Sequence, residues 1–442
     1  MSPKQIVLAA HFPGVNNTTL WNRAESGSQI DFSSFRHFAA TAERGLFDYL
    51  FLAEGLRLRE HKGEVYELDV LGRPNTLAVL AALAGVTEHI GLVGTLSATF
   101  NEPYELARQL ATLDALSDGR AGWNIVTTSD AFHGANFRRG AFLPHGERYT
   151  RAAEFLALSR ELWDSWSADA VLADTATGEF LRPGSVSRIE HHGAQFDVSG
   201  YATVPRTRQG HPLIVQAGDS PDGRDFAARD AEVIFSRHTS FDEAHTFYAD
   251  VTARLAAVGR SKDSLKILPG ATFVLGDTAA DAEEKARAIA EEQITPQTAI
   301  AFLEQTWGRD LTDFDPDGPL PDVEPVEGSD ISQGRALKIE GARRTIEAWR
   351  DRAESENLSI RELVLAVTPR PSFVGTAADV AAEIDRYVQG DASDGFVLIG
   401  HTTPGGLDEC VSDVIPLLQE RGSYRTDYPD RATLRDLLFA PR

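Results

Sequence analysis

The sequence predicts an α/β protein that folds as a (β/α)8 TIM barrel with insertions. Short apolar or β-branched runs alternate with amphipathic stretches of helical spacing, which is typical of a parallel sheet covered by helices. Eight such runs are present, and no GxGxxG motif follows the first, so an open dinucleotide-binding sheet lacks its phosphate loop. A length of 442 residues suits one barrel with additions. We expect a single domain over residues 1–442, with insertions at about 168–210 and 293–340.

The predicted strands and helices are spread over the whole chain. The strands are Gln5–Ala10, Tyr49–Ala53, Ile90–Gly94, Ala121–Val126, Pro212–Ala217, Val233–Phe235, Lys266–Val274 and Gly395–Ile399. The helices are Phe35–Arg44, Thr76–Ala84, Tyr104–Leu116, Tyr149–Trp166, Phe226–Arg229, Glu243–Val258, Asp281–Glu292, Gly341–Asn357, Asp379–Val388 and Leu407–Gln419. This alternation fits a closed barrel better than an open doubly wound sheet.

Two long stretches interrupt the alternation. Residues 168–210 are polar and irregular, and residues 308–334 are rich in Asp, Pro and Gly, so we expect the latter to lie outside the core. Loops of this length in a compact domain are usually functional lids or mobile segments. A solvated acidic excursion is an equal alternative for 308–334.

Composition excludes several classes of protein. The net charge of −23 disfavours a nucleic-acid partner, because a phosphate-binding surface needs clustered basic residues. No apolar run approaches the roughly 20 residues of a membrane span, and the N-terminus lacks the features of a signal peptide. We therefore expect a cytoplasmic protein without membrane contact. Cys410 is the only cysteine, which excludes an intrachain disulfide, and we expect it to be buried in a helix. No metal site is predicted.

Candidate functional residues lie at the carboxyl ends of the predicted strands, where TIM barrels carry their active sites. Polar side chains follow seven of these strands: His11, Glu54, Thr95, Asn124, Asp219 with Ser220, Arg237 with His238, and His401. Barrel packing does not need so many polar groups. The sequence therefore predicts a ligand site at this end of the barrel.

Several segments carry a resemblance to a known family. In chain order they are "HFPG", "GLFDYLFLAEG", "GRAGWNIVTTSDAFHGANF", "HGERYTRAAEF", "VQAGDSPDGRDFAARDAEVIF" and the tail "PGGLDECVSDVIPLLQERGSYRTDYPDRATLRDLL". Together they resemble the nitrilotriacetate/dibenzothiophene-sulfone monooxygenase family, a branch of the bacterial-luciferase-like flavoproteins. The likeness runs from about residue 5 to about residue 438.

The resemblance implies a luciferase-like barrel and a reaction. Family members are FMNH2-dependent monooxygenases of two-component systems, which use O2 through a flavin C4a-peroxide to oxygenate or oxidatively cleave a small organic substrate. The reduced flavin comes from a separate NAD(P)H:flavin reductase, and the proteins are usually homodimers or homotetramers. The resemblance thus implies FMN as cofactor, O2 as co-substrate and a reductase as partner.

The resemblance also assigns residues to the flavin ring. Glu54, Thr95 and Asn124 line the isoalloxazine, whose anionic N1–C2=O edge suits short polar groups on rigid strand ends. Many relatives have Asp where Glu54 stands, which displaces its contact by one methylene.

The phosphate arm of FMN is assigned to two further segments. His145 and Tyr149 lie one helical turn apart, so both side chains can face the same ligand. Ser220, with Asp219 beside it, precedes a helix whose free backbone N–H groups would bind a phosphate. Asp219 would repel a phosphate unless it points away. The strand count places this loop after strand five, whereas phosphate sites in TIM barrels usually follow strands seven and eight.

Oxygen chemistry requires a placed proton donor or acceptor in a dry site. His11 and His133 are the candidates, and His11 is favoured because strand one ends beneath the flavin in this class of barrel. His133 lies in a loop that could equally be structural.

Three residues at the rim indicate an acidic or strongly hydrogen-bonding substrate. Arg237 presents a planar fork suited to a carboxylate, and His238 and His401 would reinforce it. An equal alternative is that Arg237 pairs with an acidic residue of the 308–334 segment and closes a lid.

Two other functions remain open from the sequence. One is a deazaflavin- or flavin-dependent reductase or dehydrogenase on the same barrel, against which the "GWNIVTT" and "HGERY" segments argue. The other is a non-catalytic flavin-binding relative, which the complete set of polar strand ends disfavours.

Overall fold

Eight parallel strands form a closed barrel in the computed structural model, which describes residues 3–14, 18–128, 131–137, 145–238, 240–326, 329, 331–333 and 342–440. The strands are β1 (Val7–His11), β2 (Tyr49–Leu52), β3 (Gly91–Ser97), β4 (Ala121–Val126), β5 (Leu213–Gln216), β6 (Val233–Ser236), β7 (Lys266–Leu275) and β8 (Gly395–Ile399). Each strand pairs in parallel with the next along the chain, and β8 pairs with β1 to close the ring. The predicted TIM barrel is confirmed, with strands close to their predicted bounds.

Helices surround the barrel and fill the insertions. They are α1 (Phe32–Arg44), α2 (Thr76–Ala84), α3 (Pro103–Leu116), α4 (His145–Asp164), α5 (Pro221–Asp230), α6 (Phe241–Ala257), α7 (Ala279–Gln293), α8 (Pro296–Trp307), α9 (Ala342–Glu356), α10 (Ile360–Val367), α11 (Ala377–Gln389), α12 (Ile415–Glu420) and α13 (Leu434–Phe439). Over the described part of the chain, none is long and apolar enough to cross a membrane. Three of these helices, α8, α10 and α13, were not predicted from the sequence.

The predicted helix over Leu407–Gln419 is confirmed from residue 408 onward, and it contains a π segment. Residues 408–420 are helical without a break, the π turn at Cys410–Val414 leads directly into α12, and a 3-10 turn at Gly405–Leu407 precedes them. Pro416 stands at the start of α12, and because a proline has no N–H to donate, it removes one hydrogen bond of the helix next to the π turn. Cys410 is buried, as expected, but in the π turn.

Apolar side chains fill the barrel interior down to its amino-terminal end. Val7, Tyr49 and Val93 from successive strands belong to one buried cluster, which Leu434 of α13 joins from below. A Cβ on Gly91 would lie 2.5 Å from the Leu434 side chain, so this strand start requires glycine. Because α13 closes this end, a ligand site is left to the carboxyl end of the strands.

The first insertion is partly ordered into a hairpin. Strands Ile189–His192 and Asp197–Gly200 pair antiparallel. Glu154 of α4 accepts a hydrogen bond from the backbone N–H of Phe196 at 2.8 Å, which attaches the hairpin to the barrel. The expectation of an irregular segment over 168–210 is therefore wrong for its second half.

The second insertion builds a small core of its own. Leu311 is 1% exposed and packs in one cluster with Trp307 of α8. The expectation that residues 308–334 lie outside any core is wrong at this position, because α8 supplies an apolar face that the sequence analysis did not assign. Strand Ser332–Gln333 pairs with Glu60–His61, so the insertion is attached to the loop that follows β2.

Candidate active site

A buried amide lies at the carboxyl ends of β3 and β4. Thr95 and Asn124 are register partners, and Asn124 Nδ2 donates a hydrogen bond of 3.0 Å to Thr95 Oγ1. Asn124 Oδ1 is buried and has no hydrogen-bond partner among the described residues. An unpaired buried acceptor costs about 1–3 kcal/mol, so this oxygen points to a ligand that donates an N–H or O–H group.

Glu54 supplies a carboxyl at the end of β2. Its Oε2 accepts a hydrogen bond of 3.0 Å from the backbone N–H of Ser97, the last residue of β3. Burial raises the pKa of this carboxyl to about 7, and the Ser97 N–H offsets part of the shift. Both protonation states are therefore accessible near neutral pH, and the protonated form can donate a hydrogen bond to a ligand.

His11 ends β1 with a neutral imidazole. Burial, reinforced by the positive charge of Arg73, lowers the pKa of His11 to about 3. The ring lies 5.4 Å from that of Phe51, and Nδ1 is buried without a hydrogen-bond partner in the described part of the chain. This imidazole can exchange a hydrogen bond with a ligand without carrying a charge.

A cavity of about 480 Å³ opens beyond the end of β2. Glu54 and His133 line it, and His133 comes from a single-turn helix at Ala131–Gly134. Three arginines also line it: Arg57, Arg59 and Arg73. These arginines were not predicted as site residues, although two of them stand in the run "GLRLRE" shortly after β2.

A second polar group lies where β5 leads into α5. Ser220 caps α5, and its Oγ accepts a hydrogen bond of 3.2 Å from the backbone N–H of Gly223. Tyr149 Oη lies 3.5 Å from Ser220 Oγ, and Arg148 Nε nearby in sequence is buried without a hydrogen-bond partner among the described residues. This loop follows β5, so the strand count of the sequence analysis is right. The side chain of His145 lies outside the described part of the structure.

Asp219 points away from this loop's N–H groups. Its Oδ1 lies 3.1 Å from Arg224 Nη2 and 3.2 Å from His238 Nε2. The His238 ring packs 4.7 Å from that of Phe247. Arg224 therefore balances the charge of Asp219 and reduces the repulsion that this carboxylate would exert on a phosphate. The same carboxylate also contacts His238.

The structure does not gather Arg237 and His401 into one cluster with His238. Arg237 is exposed after β6. His401 is held between the carbonyl of Thr18 and the amide of Gln293, with its Nδ1 at 3.4 Å from each. Burial lowers the pKa of His401. Within the described residues of 308–334, no acidic side chain forms an ion pair with Arg237. The alternative that Arg237 closes a lid is therefore not supported by a contact.

These groups match the needs of a flavin. The open Asn124 acceptor and the Glu54 carboxyl suit the N–H groups of the ring, and the Ser220–Tyr149 group at the α5 N-terminus suits a phosphate. No group of three or more His, Cys, Asp or Glu side chains that could hold a metal is found in the described ranges.

The fold and these strand-end groups define an α/β barrel with a candidate ligand site at the carboxyl ends of its strands. A family model described as luciferase-like monooxygenase matches residues 16–394, and the chain belongs to this family. The family resemblance predicted from the sequence is confirmed.

Relatives at substantial identity extend over nearly the whole chain. Nitrilotriacetate monooxygenase component A of Aminobacter aminovorans is 38% identical over 431 residues, 95% of this chain and 92% of the relative. Dibenzothiophene-sulfone monooxygenase of Rhodococcus erythropolis is 36% identical over 451 aligned positions, covering 98% and 96%. A riboflavin lyase solved with modified FMN and riboflavin superposes with a TM-score of 0.80 at 29% identity, covering 99% of this chain and 96% of that structure.

Proposed function

We propose that this enzyme is the oxygenase component of a two-component system, which uses FMNH2 and O2 to oxygenate or oxidatively cleave a small organic substrate. The observation that carries the proposal is the buried, unpaired Oδ1 of Asn124 beside Thr95 at the barrel mouth. Such an acceptor is costly unless a ligand fills it. The relative named component A and the structure that contains modified FMN support the same assignment.

Each part of the site takes one task in this proposal. Thr95, Asn124 and Glu54 hold the flavin ring, while Tyr149 and Ser220 hold its phosphate. His145, one helical turn before Tyr149, remains a predicted phosphate contact. When bound, reduced FMN supplies the electrons that activate O2.

Two histidines are assigned to the reacting atoms. Because the pKa of His11 is lowered to about 3, its imidazole stays neutral at physiological pH and hydrogen-bonds to the reacting atoms without becoming charged. His133 lies on the wall of the cavity and is the second candidate.

The proposal implies a partner and an assembly. With no dinucleotide fingerprint in the sequence, the reduced flavin would come from a separate NAD(P)H:flavin reductase, and we expect both proteins in the cytoplasm. A homodimer or homotetramer is expected from the family resemblance.

Flavin titration of a phosphate-end variant tests the cofactor assignment. The double variant Tyr149→Phe, Ser220→Ala should weaken FMN binding more than tenfold, about 1.4 kcal/mol or above, because in this proposal both hydroxyl groups bind the phosphate arm of FMN. Leu116→Ala, on an exposed position of α3, is the matched control and should bind FMN like the wild type. Equal FMN affinity in the double variant and the control would contradict the assignment.

A further inference from the structure

A narrow pocket of about 20 Å³, here called the side pocket, lies beside the large cavity at the barrel mouth. Phe12, which directly follows β1, and Ala53, which directly follows β2, both line it. These two residues adjoin His11 and Glu54 in the chain, and Ala53 also lines the cavity of about 480 Å³. The side pocket therefore adjoins the candidate flavin site where the chain leaves the first two strands.

Most of the wall of the side pocket is apolar. Phe35 of α1, Leu52 of β2 and Val79 of α2 line it together with Phe12. The rings of Phe12 and Phe35 stack with their centroids 4.2 Å apart, and both side chains are buried. The stacked rings belong to the close-packed core, so this wall of the pocket is rigid.

The polar side chains in the wall already have backbone partners. Gln29 Nε2 donates a hydrogen bond to the carbonyl of Leu71. Arg73 and Thr76 both donate to the carbonyl of Ala53, at 2.9 Å and 3.3 Å. A buried water needs about two to four polar partners, and the backbone carbonyls here already accept from these side chains. The side pocket therefore suits a small apolar molecule better than a water.

We propose that the side pocket binds molecular oxygen and supplies it to the flavin site. O2 is a small apolar molecule, and preformed apolar cavities in proteins bind apolar guests of comparable size, xenon among them. When a flavin and a substrate fill the large cavity, the side pocket leaves O2 a separate approach between β1 and β2. The inference rests on the proposed function and adds the place from which O2 reaches the ring.

Xenon binding tests the side pocket without any flavin. Xenon-pressurised crystals of the flavin-free wild type should show xenon between Leu52 and Val79. Val79→Phe should exclude it because the added ring fills the pocket, and Val79→Leu, a smaller change, should lower its occupancy. Val86→Phe, at a 49% exposed position after α2, is the matched control and should keep the xenon. A wild-type side pocket without xenon would overturn the inference.

The reaction of the protein–FMNH2 complex with O2 tests the role of the side pocket. The second-order rate constant, obtained by stopped-flow mixing over a range of O2 concentrations, should fall about fivefold or more in Val79→Phe. FMN affinity in this variant should stay within about twofold of the wild type, and Val86→Phe should match the wild type in both measurements.

Three outcomes separate the inference from its alternatives. An unchanged rate constant in a Val79→Phe protein that excludes xenon would show that O2 takes another path, and the inference would be wrong. A parallel loss of FMN affinity in Val79→Phe would assign the side pocket to flavin binding and also overturn it. Failure of FMN to bind the wild type would instead reject the proposed function itself.

Discussion

Burial raises the pKa of the Glu54 carboxyl to about 7, although the hydrogen bond that it accepts from the Ser97 N–H favours the ionised form. The unfolded chain titrates this group near 4.5. Below that pH the carboxyl is protonated in both states and carries no penalty. Between pH 4.5 and 7 the unfolded chain ionises first, so the folded protein loses stability, by no more than about 3 kcal/mol above pH 7. A carboxyl whose pKa is shifted by burial in this way is typical of functional sites.

Replacement of Glu54 by Gln should reveal this penalty as a pH-dependent gain in stability. Gln keeps an acceptor for the Ser97 N–H but does not ionise. The free energy of unfolding of Glu54→Gln relative to wild type should therefore increase by about 2 kcal/mol between pH 5 and pH 8, as measured by urea unfolding without flavin. Glu88→Gln, whose side chain is 87% exposed, serves as control. A difference that is the same at both pH values would contradict the assigned pKa.

Residues at the strand ends and in the segments that carry the family resemblance could be predicted, and the other loop residues could not. Thr95 and Asn124 were predicted because they stand at the carboxyl ends of two strands, where barrels carry their sites, and because the resemblance assigns them to the flavin ring. Arg59 and Arg73 stand in the loop after β2, where no period directs a side chain. Asp219 was recognised as unfavourable beside a phosphate, but its partner Arg224 depends on the turn that α5 makes after its first residues.

At the scale of elements, α13 closes the barrel that the strands form. Leu434 and Leu438 belong to the interior cluster, together with side chains of every barrel strand except β4. The sequence analysis missed this six-residue helix because it is too short to show an amphipathic period. Its one local signal is the capping box of Thr433 and Asp436, which marks where a helix starts but not that it fills a barrel.

Truncation of one buried side chain in α13 should lower the stability of the protein without affecting the candidate flavin site. Leu434 is fully buried, so Leu434→Ala should lower the free energy of unfolding by about 2–5 kcal/mol, measured by urea unfolding. Leu116→Ala, at a 63% exposed position, should change it by less than about 0.5 kcal/mol. FMN affinity of folded Leu434→Ala should stay within twofold of wild type, because α13 lies at the opposite end of the barrel. An unchanged stability would show that α13 does not close the core.

At the scale of the whole molecule, the chain ends are tied to the barrel. Arg425 forms a buried ion pair with Asp48, and Asp48 accepts a hydrogen bond of 2.9 Å from the N–H of Leu8 in β1. With α13 closing the amino-terminal end of the barrel, these contacts support our proposal that residues 1–442 fold as one domain. The second insertion pairs with the loop after β2, so it lies at the end of the barrel that carries the candidate site.

In the function we propose, the carboxyl end of this barrel holds reduced FMN and directs its reaction with O2. Stopped-flow mixing of the anaerobic protein–FMNH2 complex with oxygenated buffer tests it most directly, and it requires no knowledge of the substrate. We expect a transient near-UV absorbance that differs from both reduced and oxidised FMN and forms before the oxidised spectrum returns. Return of oxidised FMN in a single phase, at the rate of free FMNH2 and without a transient, would contradict the claim and favour a reductase or a flavin-binding protein.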